Sequence, residues 1–111
     1  MAMIPMEYSG GGYKFVDFQS ENNSYTVAAN FSTATTIHMN QKVGSDDLTG
    51  YSPIAITHFL IGGTPIPQVI LRGYTMSTDG TGGYIYLVSP ASSQQTVSKA
   101  GLQMTILFKK D

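Results

Sequence analysis

Leu102-Gln103-Met104-Thr105-Ile106-Leu107-Phe108 decides the fold class. Leu102, Met104, Ile106 and Phe108 stand at every second position. That is the period of an extended strand with one buried face, not of a helix. Tyr25-Thr26-Val27-Ala28-Ala29-Asn30-Phe31 repeats the pattern, with Tyr25, Val27, Ala29 and Phe31 on one face and Thr26, Ala28 and Asn30 on the other. Working outward, the same signals predict strands over residues 13–19, 25–31, 35–43, 51–61, 68–76, 84–89 and 102–108. Polar or Gly/Pro-rich turns separate them, and residues 90–98 read as one such turn. No window carries the i, i+3, i+4, i+7 apolar spacing of a helix. The expected fold is all-β: a single jelly-roll-like β-sandwich of about seven antiparallel strands over residues 13–111. Residues 1–12 precede it as an arm with a hinge at Ser9-Gly10-Gly11-Gly12.

The chain has 111 residues, a length suited to one domain, and a formal charge of −1. Apolar residues make up 41% and charged residues only 12%, about half the usual share, so a folded and weakly charged surface is expected. There is no Cys, which excludes a disulfide framework and Cys-based metal sites. Six Lys and Arg against seven acids do not supply the basic surface that phosphate contacts require, so no nucleic acid is expected. The longest apolar run, Tyr84-Ile85-Tyr86-Leu87-Val88, is far shorter than the ~20 residues of a spanning helix, so no membrane insertion is expected. Met1–Glu7 lacks the basic and apolar regions of a secretory signal. Residues 48–98 carry only Arg72 and Asp79 as charges. Charge-depleted strands favour self-association. The stretch 51–61 is apolar on both faces, so it is expected to be central or to form a subunit seam through Ile54, Ile56, His58, Phe59 and Ile61.

Motifs for chemistry are sparse. His38 and His58 are the only side chains that titrate near neutrality without perturbation, and each sits in a strand. No nucleophile elbow and no nucleophile–base–orienter set is visible. Ser9-Gly10-Gly11-Gly12 and Thr81-Gly82-Gly83 lack the Lys-Ser/Thr and following helix of a phosphate loop. No enzyme activity, metal or cofactor is therefore expected. Tyrosine is the more informative residue: seven occur, and Tyr74, Tyr84 and Tyr86 flank the loop 77–83. An aromatic face beside carboxylates is what a sugar needs, because its C–H face stacks while acceptors take its hydroxyls. Asp46, Asp47, Tyr74, Asp79 and Tyr84 are the expected glycan contacts, on the assumption that the loops 20–23, 44–50 and 77–83 share one end of the sandwich.

Several stretches, taken in order, carry a resemblance. They are Tyr25-Thr26-Val27-Ala28-Ala29-Asn30-Phe31-Ser32-Thr33, Gly50-Tyr51-Ser52-Pro53-Ile54-Ala55-Ile56, Tyr84-Ile85-Tyr86-Leu87-Val88, Gln95-Thr96-Val97 and Met104-Thr105-Ile106-Leu107-Phe108-Lys109. Together they are similar to the distal head, or receptor-binding, domains of phage and prophage tail-fibre, tail-spike and appendage proteins. The resemblance spans Tyr25 to Lys110. It implies a trimeric, non-enzymatic virion protein, made in the bacterial cytoplasm and presenting loops to a host-surface glycan beside other virion proteins. It transfers no catalytic residue. A monomeric carbohydrate-binding module of a bacterial glycan-active protein is the alternative, as is a virion decoration protein.

Overall fold

A computed structural model describes residues 12–44, 47–76 and 82–111. The described chain is all-β, with eight antiparallel strands: β1 (Tyr13–Ser20), β2 (Ser24–Val27), β3 (Thr35–Gln41), β4 (Tyr51–Ile61), β5 (Ile70–Met76), β6 (Gly83–Val88), β7 (Gln95–Ser98) and β8 (Leu102–Lys110). Six of them form one nearly closed sheet in the order β4-β8-β1-β3-β6-β5, and β2 and β7 form a second, small sheet.

The register explains how this arises. β1 pairs with β8 from Tyr13↔Lys109 to Phe18↔Met104. β2 pairs with β7 from Ser24↔Ser98 to Val27↔Gln95, and β3 with β6 from Thr35↔Leu87 to Met39↔Gly83. In every one of these pairs the two residue numbers add to the same total. The two arms therefore have equal lengths at each bend, with no insertion on either side. The chain is one long antiparallel ribbon, bent twice and rolled up, with the nested β1–β8, β2–β7 and β3–β6 pairing of a jelly roll. The roll is closed by β1 meeting β3, from Phe18↔Gln41 to Ser20↔Met39. The tip of the ribbon opens, and β4 and β5 pass to opposite edges of the sheet.

The core lies on the inner face. Val16 and Phe18 of β1, Ile37 and Met39 of β3, Ile85 and Leu87 of β6, and Leu102, Met104, Ile106 and Phe108 of β8 are buried there. Phe18 and Phe108 meet at 6.2 Å with rings tilted by 42°, an ordinary aromatic geometry. The small sheet covers this layer with Val27 and Val97, and Leu48 plugs it from the loop before β4. Lys14 extends over the Tyr51 ring at 4.7 Å and donates to the Asp47 carbonyl at 3.3 Å, closing that end of the core with its alkyl stem. Ser89 is buried with its hydroxyl donating to the Gln68 carbonyl at 2.7 Å and accepting from the Ala91 N–H at 3.1 Å.

Three sequence expectations are corrected. First, the polar turn expected over residues 90–98 contains a strand, β7. It has one apolar residue, Val97, so its own pattern is silent, and long-range pairing with β2 makes it extended. Second, β2 stops at Val27. Asn30 and Phe31 adopt left-handed backbone, with φ of 59° and 55°. Their N–H groups bond to the Ala91 and Ser89 carbonyls at 2.8 and 2.7 Å. This turn sends Phe31 outward, 56% exposed, although the alternation placed it with the core.

Third, β4 is an edge strand rather than a central one. Two bulges, between Pro53 and Ala55 and between Ile56 and His58, reset its alternation against β8. Tyr51, Pro53, Ile56, Phe59 and Ile61 stand opposite Lys110, Phe108, Ile106, Met104 and Leu102. Ile56, Phe59 and Ile61 consequently pack against the chain's own core. Ile54 and Leu60 are left 49% and 46% exposed. Pro53 and the bulges are devices that discourage strand addition at an open edge.

Candidate functional site

The outer face of the sheet carries the other half of each alternation. Across β1, β8 and β4 the outward residues form rows. Phe15, Leu107 and Ala55 make one row, and Asp17, Thr105 and His58 make the next. Phe15 is 48% exposed, so the first row presents an apolar strip to solvent. The second row opens into a concavity of about 670 Å³, which extends to where the β1–β8 ribbon bends into the small sheet.

Topology assigns each wall. Asp17 and Gln19 of β1 and Gln103 and Thr105 of β8 supply the floor. His58 of β4 forms one flank and Lys42, just past β3, the opposite flank. Asn23 and Ser98, Lys99 and Ala100 close the far end. Four adjacent strands span roughly 14 Å at ~4.8 Å per step, a width suited to a short oligosaccharide. The Thr105 hydroxyl donates to Asp17 Oδ1 at 2.6 Å, and His58 Nε2 meets Gln103 Oε1 at 3.3 Å. The backbone N–H groups of Lys42 and Lys99 donate to the Asp17 and Asn23 carbonyls, each at 2.8 Å. These bonds fix the backbone of both lysines at the rim. The groove is thus lined by a carboxylate, three side-chain amides, two hydroxyls, an imidazole and two lysines.

The residues expected from sequence are scattered. Tyr74 stands opposite Ile85 and packs against the core, whereas Tyr84 stands opposite Thr75 and His38 on the outer face, 45% exposed. The two rings therefore point to opposite sides of the sheet and do not share a site. Tyr84 lies 5.0 Å from the His38 ring, and His38 Nδ1 meets Glu21 Oε1 at 2.9 Å. Asp46 and Asp79 lie outside the described residues. Of the expected seam, Ile54 and His58 face outward, and His58 belongs to the groove. The turn 21–23 runs beside the middle of β3, with the Glu21 N–H on the His38 carbonyl at 2.9 Å. The loop after β3 instead starts beside Asp17. These two loops accordingly do not share one end of the molecule.

Asp47 is a turn residue. Its Oδ1 accepts the Thr49 N–H at 3.0 Å, an Asx-type turn. The Thr49 hydroxyl, then the Thr49 N–H and, more weakly, Lys14 hold its carboxyl below its ordinary value, against a small opposing effect of burial. A depressed folded value means that this contribution is present above the unfolded pKa and is lost as pH falls through the folded one. In an NMR titration the Asp47 carboxyl should therefore have its midpoint below 3.8, and Thr49→Val should move it up toward that value. A midpoint unmoved by the substitution would show that the turn does not hold the charge.

Among the described residues, no group of three or more His, Cys, Asp or Glu side chains could hold a metal ion. The groove residues Asp17, Gln19, Lys42, Lys99, Gln103 and Thr105 were not legible as a site in sequence. Their only signal is that they are the outward half of two alternating strands and the turns beside them. No protein-family model matches the chain, and comparison with curated proteins and with solved structures finds no match.

Proposed function

We propose that this chain is a non-enzymatic glycan-binding module, and that it binds through the outer face of β4, β8 and β1. The observation that carries the reading is the apolar row of Phe15, Leu107 and Ala55 beside the polar groove. Phe15 lies two residues, about 7 Å, from Asp17 along the same strand. A sugar ring has an apolar C–H face and a rim of hydroxyls, and this surface offers one partner for each. The Asp17–Thr105 and His58–Gln103 contacts fix side chains before a ligand arrives, which lowers the ordering cost of binding.

The resemblance to tail-fibre head domains supports a more specific form of this reading. In it the chain is a homotrimeric virion component that meets a bacterial surface glycan. The exposed Ile54 and Leu60 at the β4 edge supply the subunit contact. Pro53 and the bulges direct that contact through side chains rather than through strand pairing.

The test is binding to an array of bacterial surface polysaccharides by the parent protein and a Phe15→Thr/Gln103→Ala variant. Thr keeps a β-branched side chain at an exposed strand position, so the variant should stay folded. Binding should fall tenfold or more. A folded variant that binds as tightly as the parent, or a parent that binds nothing, would remove the proposal. Light scattering of the same samples should give three times the 11.9 kDa of one chain. A mass of one chain would remove the trimer and leave a monomeric binding module.

A further inference from the structure

We infer that the groove selects an acidic saccharide, whose carboxylate is taken by the ammonium groups of Lys42 and Lys99. This rests on the glycan-binding reading above and names the ligand class for that site. The chain carries a formal charge of −1 overall, yet the groove is lined by two lysines against one carboxylate, Asp17.

Neither cation of the groove is engaged in the way that Lys14 is. Lys14 is engaged over the Tyr51 ring and on the Asp47 carbonyl. Among the described residues, neither Lys42 nor Lys99 forms an ion pair. Their backbones are held by the bonds to Asp17 and Asn23, and both residues line the groove, Lys42 at its side and Lys99 at its end. The one acid of the groove is bonded by the Thr105 hydroxyl at 2.6 Å, which keeps one of its oxygens on the floor.

The same geometry favours a carboxylate over a phosphate. Lysine serves phosphate as a point charge, but phosphate sites typically add converging backbone N–H groups or an arginine fork. Here the N–H groups of Lys42 and Lys99 are spent on carbonyls, and no arginine lines the groove. Two separate ammonium groups and an array of amides suit a uronic or sialic acid, with one charge and many hydroxyls.

The experiment uses a panel of uronic-acid- and sialic-acid-containing polysaccharides, the carboxyl-reduced form of each, neutral polysaccharides, and poly(glycerol phosphate). Each is titrated against the parent and a Lys42→Gln/Lys99→Gln variant at low and high salt. At least one acidic member should bind ten times tighter than its reduced form. That preference should vanish in the double variant and shrink at 1 M salt, where the screening length falls from about 10 Å at 0.1 M to about 3 Å. Reduced forms that bind as tightly as their acids, or binders that are all neutral, would overturn the inference while leaving the glycan reading intact. Equal binding of poly(glycerol phosphate) through the same lysines would overturn the carboxylate assignment. Binding to no saccharide would remove both readings.

Discussion

A Gly82→Ala variant is expected to lose about 2–6 kcal/mol of stability, the sum of two separate costs. Gly82 has φ of +94°, a backbone conformation that a side chain resists. A Cβ there would also run into the Met39 carbonyl oxygen, with the Met39 carbonyl carbon at 2.9 Å and Asn40 Cα at 3.0 Å. Those atoms are backbone of β3, the central neighbour of β6, and they do not move aside cheaply. For a domain of this size the melting temperature should drop by at least about 8 °C. Gly44→Ala is the control. Its φ is +69°, but nothing lies within 4 Å of the added carbon, so only the conformational cost of ~1–2 kcal/mol applies. Equal melting temperatures for the two variants would mean that β6 does not begin against Met39 as described.

Phe108→Ala should cost about 3–5 kcal/mol, the range for deleting a buried phenyl ring. Phe108 is fully buried, faces Phe18, and stands between Lys14 on β1 and Pro53 on β4. Its removal leaves a hole where three strands meet. Phe31→Ala deletes the same atoms at a position 56% exposed, and should stay within about 0.5 kcal/mol of the parent. Urea unfolding would measure both, with a lowered midpoint and an unchanged slope expected for Phe108→Ala. The comparison bears on the fold, because the alternation in sequence assigns both rings to the core. Similar losses for both variants would restore the straight strand through Phe31 and contradict the turn at Asn30.

Those two phenylalanines show where the sequence is a sufficient guide. In β8 and β3 the i, i+2 pattern gives the inner face correctly, because these strands are interior, regular and covered on one side only. In β4 the same reasoning fails, since two bulges each shift the phase by one residue. The composition of that strand, apolar on both faces, suggested a central place or a subunit seam, and the structure excludes the central place. Its actual place at the edge is possible because the inner side covers Ile56, Phe59 and Ile61 while the outer side leaves Ile54 and Leu60 half exposed. Tyr74 and Tyr84 looked like partners around one loop. The β5–β6 register puts Tyr74 with Ile85 and Tyr84 with Thr75, so a single step of register decides which ring faces solvent.

The groove was less legible than the fold. Asp17, Lys42, His58, Lys99, Gln103 and Thr105 come from well-separated parts of the chain. Nothing in their spacing connects them. They meet because β4, β8, β1 and β3 are neighbours in that order, and because the ribbon bends just beyond Gln19 and Gln103.

By itself the sequence determined an all-β chain, the buried faces of its regular strands, and a composition without cysteine and without an excess of basic residues. These are properties of composition and of residues two apart, and local chemistry sets them. The tertiary structure alone decided the bulges, the extended state of β7, the edge position of β4 and the outer-face groove. Each of those depends on which strands pair and in what register. That choice is made by the whole chain as it buries one common core, and no short stretch of it carries the answer.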